Sequence, residues 1–163
     1  MYSLVMKKEI IKAEVSPALF YRRLIMETKK AGCYLVNTKT KKIALIYRNN
    51  YNDYTFPKGH VENNETFEEC AIRETAEETK RVVKILSEIP PYIEKYTTPK
   101  GENCICYMFV AIDKGHSDND STDTHDLLWI DFDKVYDKLS YNSLKQSWNN
   151  IKDKIKLLIN KDC

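Results

Sequence analysis

The chain has 163 residues, of which 42% are hydrophobic and 31% are charged, and 26 basic residues against 24 acidic ones leave a net charge of +2. This composition excludes a disordered chain, and no apolar run is long enough to cross a membrane. The basic residues are too dispersed to predict binding of duplex DNA. The length suits a single domain, which we expect to span residues 1–163.

The cysteines and the N-terminus bear on the cellular compartment. The five cysteines are odd in number and show no CxxC spacing; they are Cys33, Cys70, Cys104, Cys106 and Cys163. The N-terminus lacks the apolar stretch of a secretory signal peptide. We therefore expect reduced thiols and a cytoplasmic location. Two of the cysteines, Cys104 and Cys106, lie two apart in an apolar run, which predicts that both pack in the core on one face of a strand.

The first part of the chain predicts two strands and a loop. Residues 1–26 mix apolar and charged positions without a clean period, so no element is predicted there. AGCYLVN (31–37) and KKIALIYR (41–48) are short, apolar and rich in β-forming residues, and a polar turn joins them. The next segment, 49–65, is dense in Asn, Gly and Pro, which indicates a loop.

A helix is predicted after this loop, from an N-cap at Thr66 to about Thr79. Glu69 stands three residues after Thr66 and can complete a capping box with it. The acidic character of this helix makes it the most informative element of the chain.

The rest of the chain alternates strands and turns before a final helix. A strand begins near residue 81, the run 103–112 is apolar almost throughout, and 127–132 is a further strand, with a polar loop at 113–126. Residues 141–160 carry apolar side chains at helical spacing. This order predicts an α/β or α+β domain in which helices cover a mixed sheet.

Negative charge is concentrated in residues 62–78, which hold seven Glu against a single Arg. On the predicted helix Glu74, Glu77 and Glu78 fall at i, i+3 and i+4, so they point to one side. Neighbouring carboxylates cost a helix a few tenths of a kcal/mol per pair, roughly, and a divalent cation between them would reverse that sign. Oxygen ligands that leave positions open for phosphate favour Mg²⁺ or Mn²⁺. A solvated helix face is the alternative interpretation.

The loop before the helix favours the metal interpretation. Gly59 permits a close approach of the backbone, and Lys58 beside it can contact a phosphate. Glu65 at the start of the helix and Arg73 two turns along can form a carboxylate–guanidinium pair that fixes the loop onto the helix. A loop held against an acidic helix is suited to binding a metal-bound pyrophosphate.

A glycine and five charged residues of this segment stand at a fixed spacing: Gly59, Glu65, Arg73, Glu74, Glu77 and Glu78. In identity and spacing they resemble the signature of the Nudix hydrolases, the Nudix box, which here would span residues 59–81. The segments AGCYLVN, KIALIYR, YTFPKGHVE and HDLLWIDFDKV are similar as well, so the resemblance covers about residues 27–139. It implies an α/β/α sandwich with a mixed central sheet.

Two positions depart from the family pattern, because Lys80 and Arg81 stand where the family usually has Gly and an apolar residue. Gly normally ends a helix in the left-handed conformation, so either Lys80 adopts that conformation at a cost of about 1 kcal/mol more or the helix ends another way. The departure touches the helix end and not a ligand, so activity is expected to remain. The strand that follows is expected to start near Val82.

The resemblance implies hydrolysis of a nucleoside diphosphate linked to another moiety. In such enzymes divalent metals neutralise the pyrophosphate and activate the attacking water. By position, Glu77 and Glu78 would be the main metal ligands, Glu74 a further ligand or the general base, and the carbonyl of Gly59 a ligand.

Other positions would support this chemistry. By the same resemblance, Arg73 and Glu65 would support catalysis structurally, by orienting the catalytic carboxylates. A later loop carboxylate can supply an additional base or ligand in this family. Glu102, Asp123 and Asp126 are the candidates here, with plain solvation of a loop as the alternative for each.

The run FPKGHVE (56–62) resembles that of the diadenosine polyphosphate hydrolases of the family. Lys58 and His60 would then contact the phosphate chain, and Arg48, at the end of its strand, would be a further phosphate contact. A tyrosine is expected to stack on adenine, and Tyr54 is included among the substrate-binding residues. All the candidates for stacking are Tyr51, Tyr54, Tyr92, Tyr96 and Tyr107.

The leading hypothesis is thus a metal-dependent hydrolase of a dinucleoside polyphosphate such as diadenosine tetraphosphate. The alternatives within the enzyme class are removal of pyrophosphate from RNA 5′ ends and cleavage of modified nucleoside triphosphates. A different class, a sensor that binds a nucleotide without cleaving it, is disfavoured because every charged position of the box is present. The expected partner is a nucleotide, and the sequence does not define an oligomeric state.

Overall fold

The computed structural model describes residues 16–18, 21, 26–118, 121–122 and 125–161. Within these ranges the strands are β1 (Thr28–Asn37), β2 (Lys42–Arg48), β3 (Asp53–Thr55), β4 (Lys58–His60), β5 (Arg81–Ile85), β6 (Tyr92–Thr97), β7 (Asn103–His116) and β8 (Asp126–Asp131). The helices are α1 (Phe67–Thr79), α2 (Val135–Lys138) and α3 (Asn142–Lys161), and a 3-10 turn (Phe132–Lys134) precedes α2. No helix in the described part is both long and apolar enough to span a bilayer.

The strands form one mixed sheet in which β1 and β7 are parallel neighbours. The other recorded strand pairs are antiparallel. The first half of β1 pairs with β4 and its last residues pair with β2. β2 in turn pairs with β3 beyond that point. The segment from β3 to β4 therefore fills the gap that opens between β1 and β2, and it carries the loop that precedes α1.

Two apolar layers cover the two faces of the sheet, because side chains alternate along β1 and β7. The layer under α1 is made largely of small side chains: Ala31, Cys33, Leu35, Ala44, Cys70, Ala71, Ile85, Phe109 and Ala111. The layer under α2 and α3 includes larger ones, among them Tyr34, Ile43, Leu45, Phe56, Met108 and Trp148. Helix, sheet and helix confirm the predicted sandwich with a mixed sheet.

Several elements differ from the sequence prediction. The segment 49–65, predicted as loop, contains the three-residue strands β3 and β4, whose backbones pair with β2 and β1. β7 continues to His116, past the predicted end at 112, and there it pairs with β5. β5 begins at Arg81, one residue before the predicted start at Val82. Cys104 and Cys106 are both buried, as predicted.

Candidate active site

Helix α1 starts where its capping box predicts. The backbone N–H of Glu69 donates to Thr66 Oγ1 at 3.1 Å, and the backbone N–H of Thr66 donates to Glu69 Oε2 at 2.8 Å. These two bonds satisfy donors that a helix start otherwise leaves open. The loop before α1 therefore enters the helix in one defined direction.

Helix α1 ends at Lys80, which adopts the left-handed conformation with φ 55° and ψ 36°. Its backbone N–H donates to the carbonyl of Ala76 at 2.9 Å, so Lys80 replaces the usual Gly without changing the way the helix ends. The next residue, Arg81, forms a bidentate pair with the buried Asp113, with both distances 2.8 Å. The two residues that depart from the family pattern thus hold the end of α1 against β7.

The buried face of α1 consists of small side chains. Cys70, Ala71 and Thr75 are fully buried against the sheet, where Ala31 and Ala44 face them in the same layer. Small residues on both sides allow a helix to lie close to a sheet. This closeness brings the carboxylates of α1 within bonding distance of the β4 backbone.

Arg73 fixes the loop to the helix. Its Nε and Nη2 donate to the two carboxylate oxygens of Glu65 at 2.6 and 3.0 Å, and Nη2 also donates to the carbonyl of His60 at 3.0 Å. The hydrogen bonds from Arg73 lower the pKa of Glu65 to about 2. The same partner raises the pKa of Arg73 above its ordinary value. The predicted clamp between loop and helix is present.

The three carboxylates on one side of α1 have different partners. Arg73 Nη1 donates to Glu74 at 2.8 Å and to Glu77 at 3.2 Å. Glu78 is buried, and its Oε2 accepts from the backbone N–H of Lys58 at 3.1 Å. Burial raises the pKa of Glu74, although Arg73 opposes this effect. Glu78 therefore ties α1 directly to β4.

Gly59 lies so close to the carboxylate of Glu74 that any other residue would force this carboxylate to move. A Cβ at position 59 would stand closer than 3.0 Å to three atoms of that carboxyl group. The carbonyl of Gly59 also accepts a weak hydrogen bond from Cys70 Sγ at 3.7 Å. Glycine at position 59 therefore leaves the space that the Glu74 carboxylate occupies.

These oxygen atoms fit a hard divalent cation by their chemistry. The candidate ligands are all oxygens, three carboxylates and a backbone carbonyl, which Mg²⁺ and Mn²⁺ prefer. Within the described part of the chain, however, no three His, Cys, Asp or Glu side chains converge closely enough to form a metal cluster. The carboxylates of Glu74 and Glu77 are turned to Arg73 Nη1 instead. Binding of a cation would require both carboxylates to release Arg73, and that of Glu74 already lies against Gly59.

Lys58 and His60 project from β4 beside this loop. Lys58 Nζ lies 3.7 Å from a carboxylate oxygen of Glu94 and 4.9 Å from the centre of the Tyr96 ring. Lys30, which is opposite His60 in the β1–β4 pairing, also faces Tyr96, at 5.7 Å. His60 is exposed. Two lysines, a histidine and a tyrosine thus gather at the β4 edge of the sheet.

Among the three candidates for an additional carboxylate, Glu102 lies at this same edge. The hydroxyl of Thr28 donates to it, and this bond, aided by the charges of Lys30 and His60, lowers the pKa of Glu102. Asp126 is exposed at the start of β8, where it pairs with Tyr47 of β2. Asp123 lies outside the described residues.

Arg48 and Tyr54 occupy a different neighbourhood. Arg48 donates to both oxygens of the buried Asp53, at 2.8 and 2.5 Å, and its guanidinium lies 4.5 Å from the ring centre of Tyr51. Tyr54 packs against Tyr47 at 4.9 Å, and Lys138 Nζ lies 4.1 Å from the Tyr54 ring.

The guanidinium of Arg48 donates to Asp53, whereas that of Arg73 donates to residues within the segment 59–81. The structure joins neither Arg48 nor Tyr54 to the box by a hydrogen bond within the described residues. Phosphate contact by Arg48 would have to use guanidinium edges that Asp53 leaves available.

The remaining tyrosine candidates differ in exposure. Tyr107 stacks on Phe67 at 3.9 Å in the layer under α1, whereas Tyr92 and Tyr96 are half-buried on the opposite face. Tyr51 is 68% exposed. Tyr96 is the candidate whose ring lies beside the lysines of β1 and β4.

Sequence reasoning missed Glu94, a carboxylate of β6 that is only 5% exposed. It shares with Tyr92 and Tyr96 the face of β6 that packs toward α3, because every second residue of a strand points to the same side. A charged residue between two tyrosines on the buried side of a strand was the available signal. Its partner, Lys58, could not be inferred because the two lie on separate strands.

Comparisons with known proteins agree with this architecture. The family model of the NUDIX domain matches residues 26–151. A solved NUDIX hydrolase from Nitrosomonas europaea superposes with a TM-score of 0.65 and 17% identity, covering 77% of this chain and 88% of that one. The Ap4A hydrolase of C. elegans superposes with a TM-score of 0.64 and 23% identity, covering 81% and 99%. These structural likenesses concern the fold.

A curated relative shares more sequence over a shorter range. The 8-oxo-(d)GTP phosphatase of Mycolicibacterium smegmatis is 31% identical over 103 residues, which are 63% of this chain and 31% of that protein. The chain thus spans about a third of the length of that relative. The similarity is confined to the aligned residues, and the substrate in its name belongs to that protein.

Proposed function

Because the chain belongs to the Nudix family, we propose that it is a metal-dependent pyrophosphohydrolase that cleaves a dinucleoside polyphosphate such as diadenosine tetraphosphate. The observation that carries the proposal is the contact of the α1 carboxylates with strand β4. Glu78 accepts from the Lys58 backbone, and Glu74 lies against Gly59. Strand β4 thereby contacts the acidic ligands through Lys58 N–H and Gly59, while the side chain of Lys58 supplies a positive charge from the same strand, which supports cleavage of a metal-bound phosphate chain.

Each group has a defined task in this proposal. Glu77, Glu78 and Glu74 would hold Mg²⁺ or Mn²⁺ together with the Gly59 carbonyl. The cation would neutralise phosphate charge and lower the pKa of a bound water. Glu74, whose pKa burial raises, is also suited to accept a proton from the attacking water. Arg73 keeps the carboxylates oriented.

The basic edge would receive the phosphate chain. Lys58 and His60 flank the proposed ligand Gly59 on β4, and Lys30 is opposite His60 on β1. Tyr96 offers a ring for stacking a nucleobase, and Glu102 at the same edge is the favoured additional base or ligand. Arg48 and Tyr54 would take part only with an extended substrate, because their side chains make contacts around β3.

We further propose a cytoplasmic location.

A panel of nucleotides tests the proposal. It holds diadenosine polyphosphates, nucleoside triphosphates with and without base oxidation, and RNA with a 5′-triphosphate, each with Mg²⁺ or Mn²⁺ and with EDTA. Chromatography of the products should show cleavage of diadenosine tetraphosphate to ATP and AMP only with metal. No turnover of any substrate with metal present would favour a nucleotide sensor instead.

A matched pair of variants locates the chemistry. Glu78→Gln removes a proposed metal ligand and should reduce turnover by about 10³-fold, in the range of lost electrostatic stabilisation at reacting groups. Glu68→Gln changes an exposed carboxylate on the same helix and should leave turnover within twofold. Equal turnover in both variants would contradict the assignment of Glu78.

The second candidate function is hydrolysis of an oxidised nucleoside triphosphate. It is favoured by the 31% identity to an 8-oxo-(d)GTP phosphatase over 103 residues. The same panel separates the two functions, since a higher kcat/KM for the oxidised triphosphate than for the dinucleotide would decide for it. RNA 5′ ends are the third substrate class that the panel includes.

A further inference from the structure

Glu94 is a buried carboxylate whose polar atoms are poorly satisfied. It lies in β6, is 5% exposed, and neither oxygen accepts a hydrogen bond from any described residue. Its recorded ion pair is with Lys58, at 3.7 Å between Nζ and Oε2. Such a buried group is costly to retain, which raises the question of what it does.

Lys58 connects this carboxylate to the proposed metal ligands. Its backbone N–H donates to Glu78 at 3.1 Å, while its ammonium lies between Glu94 and the Tyr96 ring. The side chain of Lys58 is only 15% exposed, so the ammonium is turned toward the protein interior. A lysine that is proposed to meet phosphate is therefore drawn away from solvent.

Stability does not account for the pair. An ion pair at 3.7 Å without a hydrogen bond recovers little of the cost of removing both charges from water. The two oxygens of Glu94 attract the ammonium without fixing it in a tight bond. Lys58 can leave for a more highly charged partner, and a polyphosphate is such a partner.

We propose that Glu94 restrains Lys58 and thereby sets the affinity of the site for a polyphosphate chain. Phosphate must compete with Glu94 for the ammonium, so substrate and product both bind less tightly than the basic edge alone would allow. Weaker binding of substrate and product keeps product release fast. Interactions that form only in the transition state are not weakened. The inference rests on the proposed function only for the position of the phosphate chain.

Inorganic tripolyphosphate tests the inference without turnover, by isothermal titration calorimetry in EDTA and again with Mg²⁺. Glu94→Gln should bind it about tenfold more tightly than the unchanged protein, because a like charge near the phosphate is lost and Lys58 is released. Glu94→Asp, which keeps the charge, should stay within threefold of the unchanged protein. Weaker or equal binding by Glu94→Gln would overturn the proposal.

A double-mutant cycle shows whether the effect passes through Lys58. In a Lys58→Gln background, Glu94→Gln should tighten binding by threefold at most, whereas in a Lys30→Gln background the tenfold effect should persist. Equal tightening with and without Lys58 would mean that the carboxylate acts by its field alone, against the proposal.

A second measurement covers the case in which Lys58→Gln does not fold. Acetylation of surface amines, followed by mass spectrometry, compares labelling of Lys58 with that of Lys30. Glu94→Gln should raise the labelling of Lys58 several-fold relative to Lys30, and unchanged labelling would overturn the restraint. If the nucleotide panel shows no turnover while these results hold, the proposed function fails and the role of Glu94 stands.

Discussion

The two faces of the sheet are packed by different rules. Under α1 the side chains are mainly Ala and Cys, with Ala31, Ala44 and Ala71 fully buried, whereas under α3 they include Tyr34, Phe56 and Trp148. Small residues allow α1 to approach until its carboxylates reach the β4 backbone. Large residues hold α3 away and supply buried area. Packing under α1 thus determines where the carboxylates lie, whereas packing under α3 stabilises the fold.

Trp148→Ala should have the largest effect on stability and test the α3 side of this comparison. Trp148 is buried, and its ring centre lies 6.1 Å from that of Phe56 and 5.2 Å from that of Phe132. Its loss should lower the free energy of unfolding by about 3–5 kcal/mol, measured by urea titration. Turnover per folded molecule should stay within threefold. A large loss of turnover in the folded fraction would show that the two faces are not separable.

Gly59→Ala tests the α1 side, where position should matter more than stability. The added Cβ would displace the Glu74 carboxylate, so kcat/KM should fall about 100-fold, equal to about 2.7 kcal/mol. Gly101→Ala is the matched control, since Gly101 has φ +80° and open space around it. That variant should lose about 1 kcal/mol of stability and keep its turnover. Equal turnover in both variants would show that the close approach of the Glu74 carboxylate to Gly59 does not matter for activity.

Glu65→Gln examines the clamp at the start of α1 through pH. The pKa of Glu65 is lowered to about 2 in the folded protein, from an unfolded value of 4.5. Stabilisation by the charged Glu65 is therefore complete above about pH 5 and is lost as the pH falls toward 2.

At pH 7 the Glu65→Gln variant should be less stable by about 1–2 kcal/mol, after allowance for solvent screening of the pair. The difference from the unchanged protein should shrink as urea titrations are repeated at lower pH. A difference that is constant from pH 7 to pH 3 would show that the Glu65–Arg73 pair does not titrate as described.

Lys80→Gly examines the other end of α1 and should have the smallest effect. Glycine removes the strain of φ 55° and should add about 0.5–1 kcal/mol to the free energy of unfolding. The Lys80 ammonium, however, donates to the carbonyl of Ser121, and glycine loses that bond. A decrease in thermal unfolding temperature would mean that the side-chain bond outweighs the strain, and Lys80→Ala would then separate the two contributions.

The sequence predicted those parts of the site that are close together in the chain. The capping box of Thr66 and Glu69, the pairing of Glu65 with Arg73, and the common side of Glu74, Glu77 and Glu78 all follow from helical spacing. Local geometry determines such contacts. The apolar runs at 31–37, 41–48 and 103–112 were likewise recognisable as strands.

The contacts between distant strands could not be predicted. Lys58 meets Glu94 from two strands that are not adjacent in the sequence, and Arg48 is held by Asp53 within a segment that reads as loop. β3 and β4 are only three residues long, too short to be recognised in a segment dense in Asn, Gly and Pro, and they depend on the strands that pair with them. Tertiary pairing, not local preference, formed these parts of the molecule.

The parallel pairing of β1 with β7 has a consequence for how the protein folds. Thr28 pairs with Cys104, 76 residues later, and the whole of the Nudix box lies in the chain between these two strands. Closing so long a loop is slow compared with forming a helix, so α1 can form well before the sheet that receives it. On the ribosome, we expect the complete box to emerge before the central strand pair can close. The carboxylates of α1 would spend that interval without the β1–β7 pair beneath them, and the proposed cation site should form only in the last stage of folding.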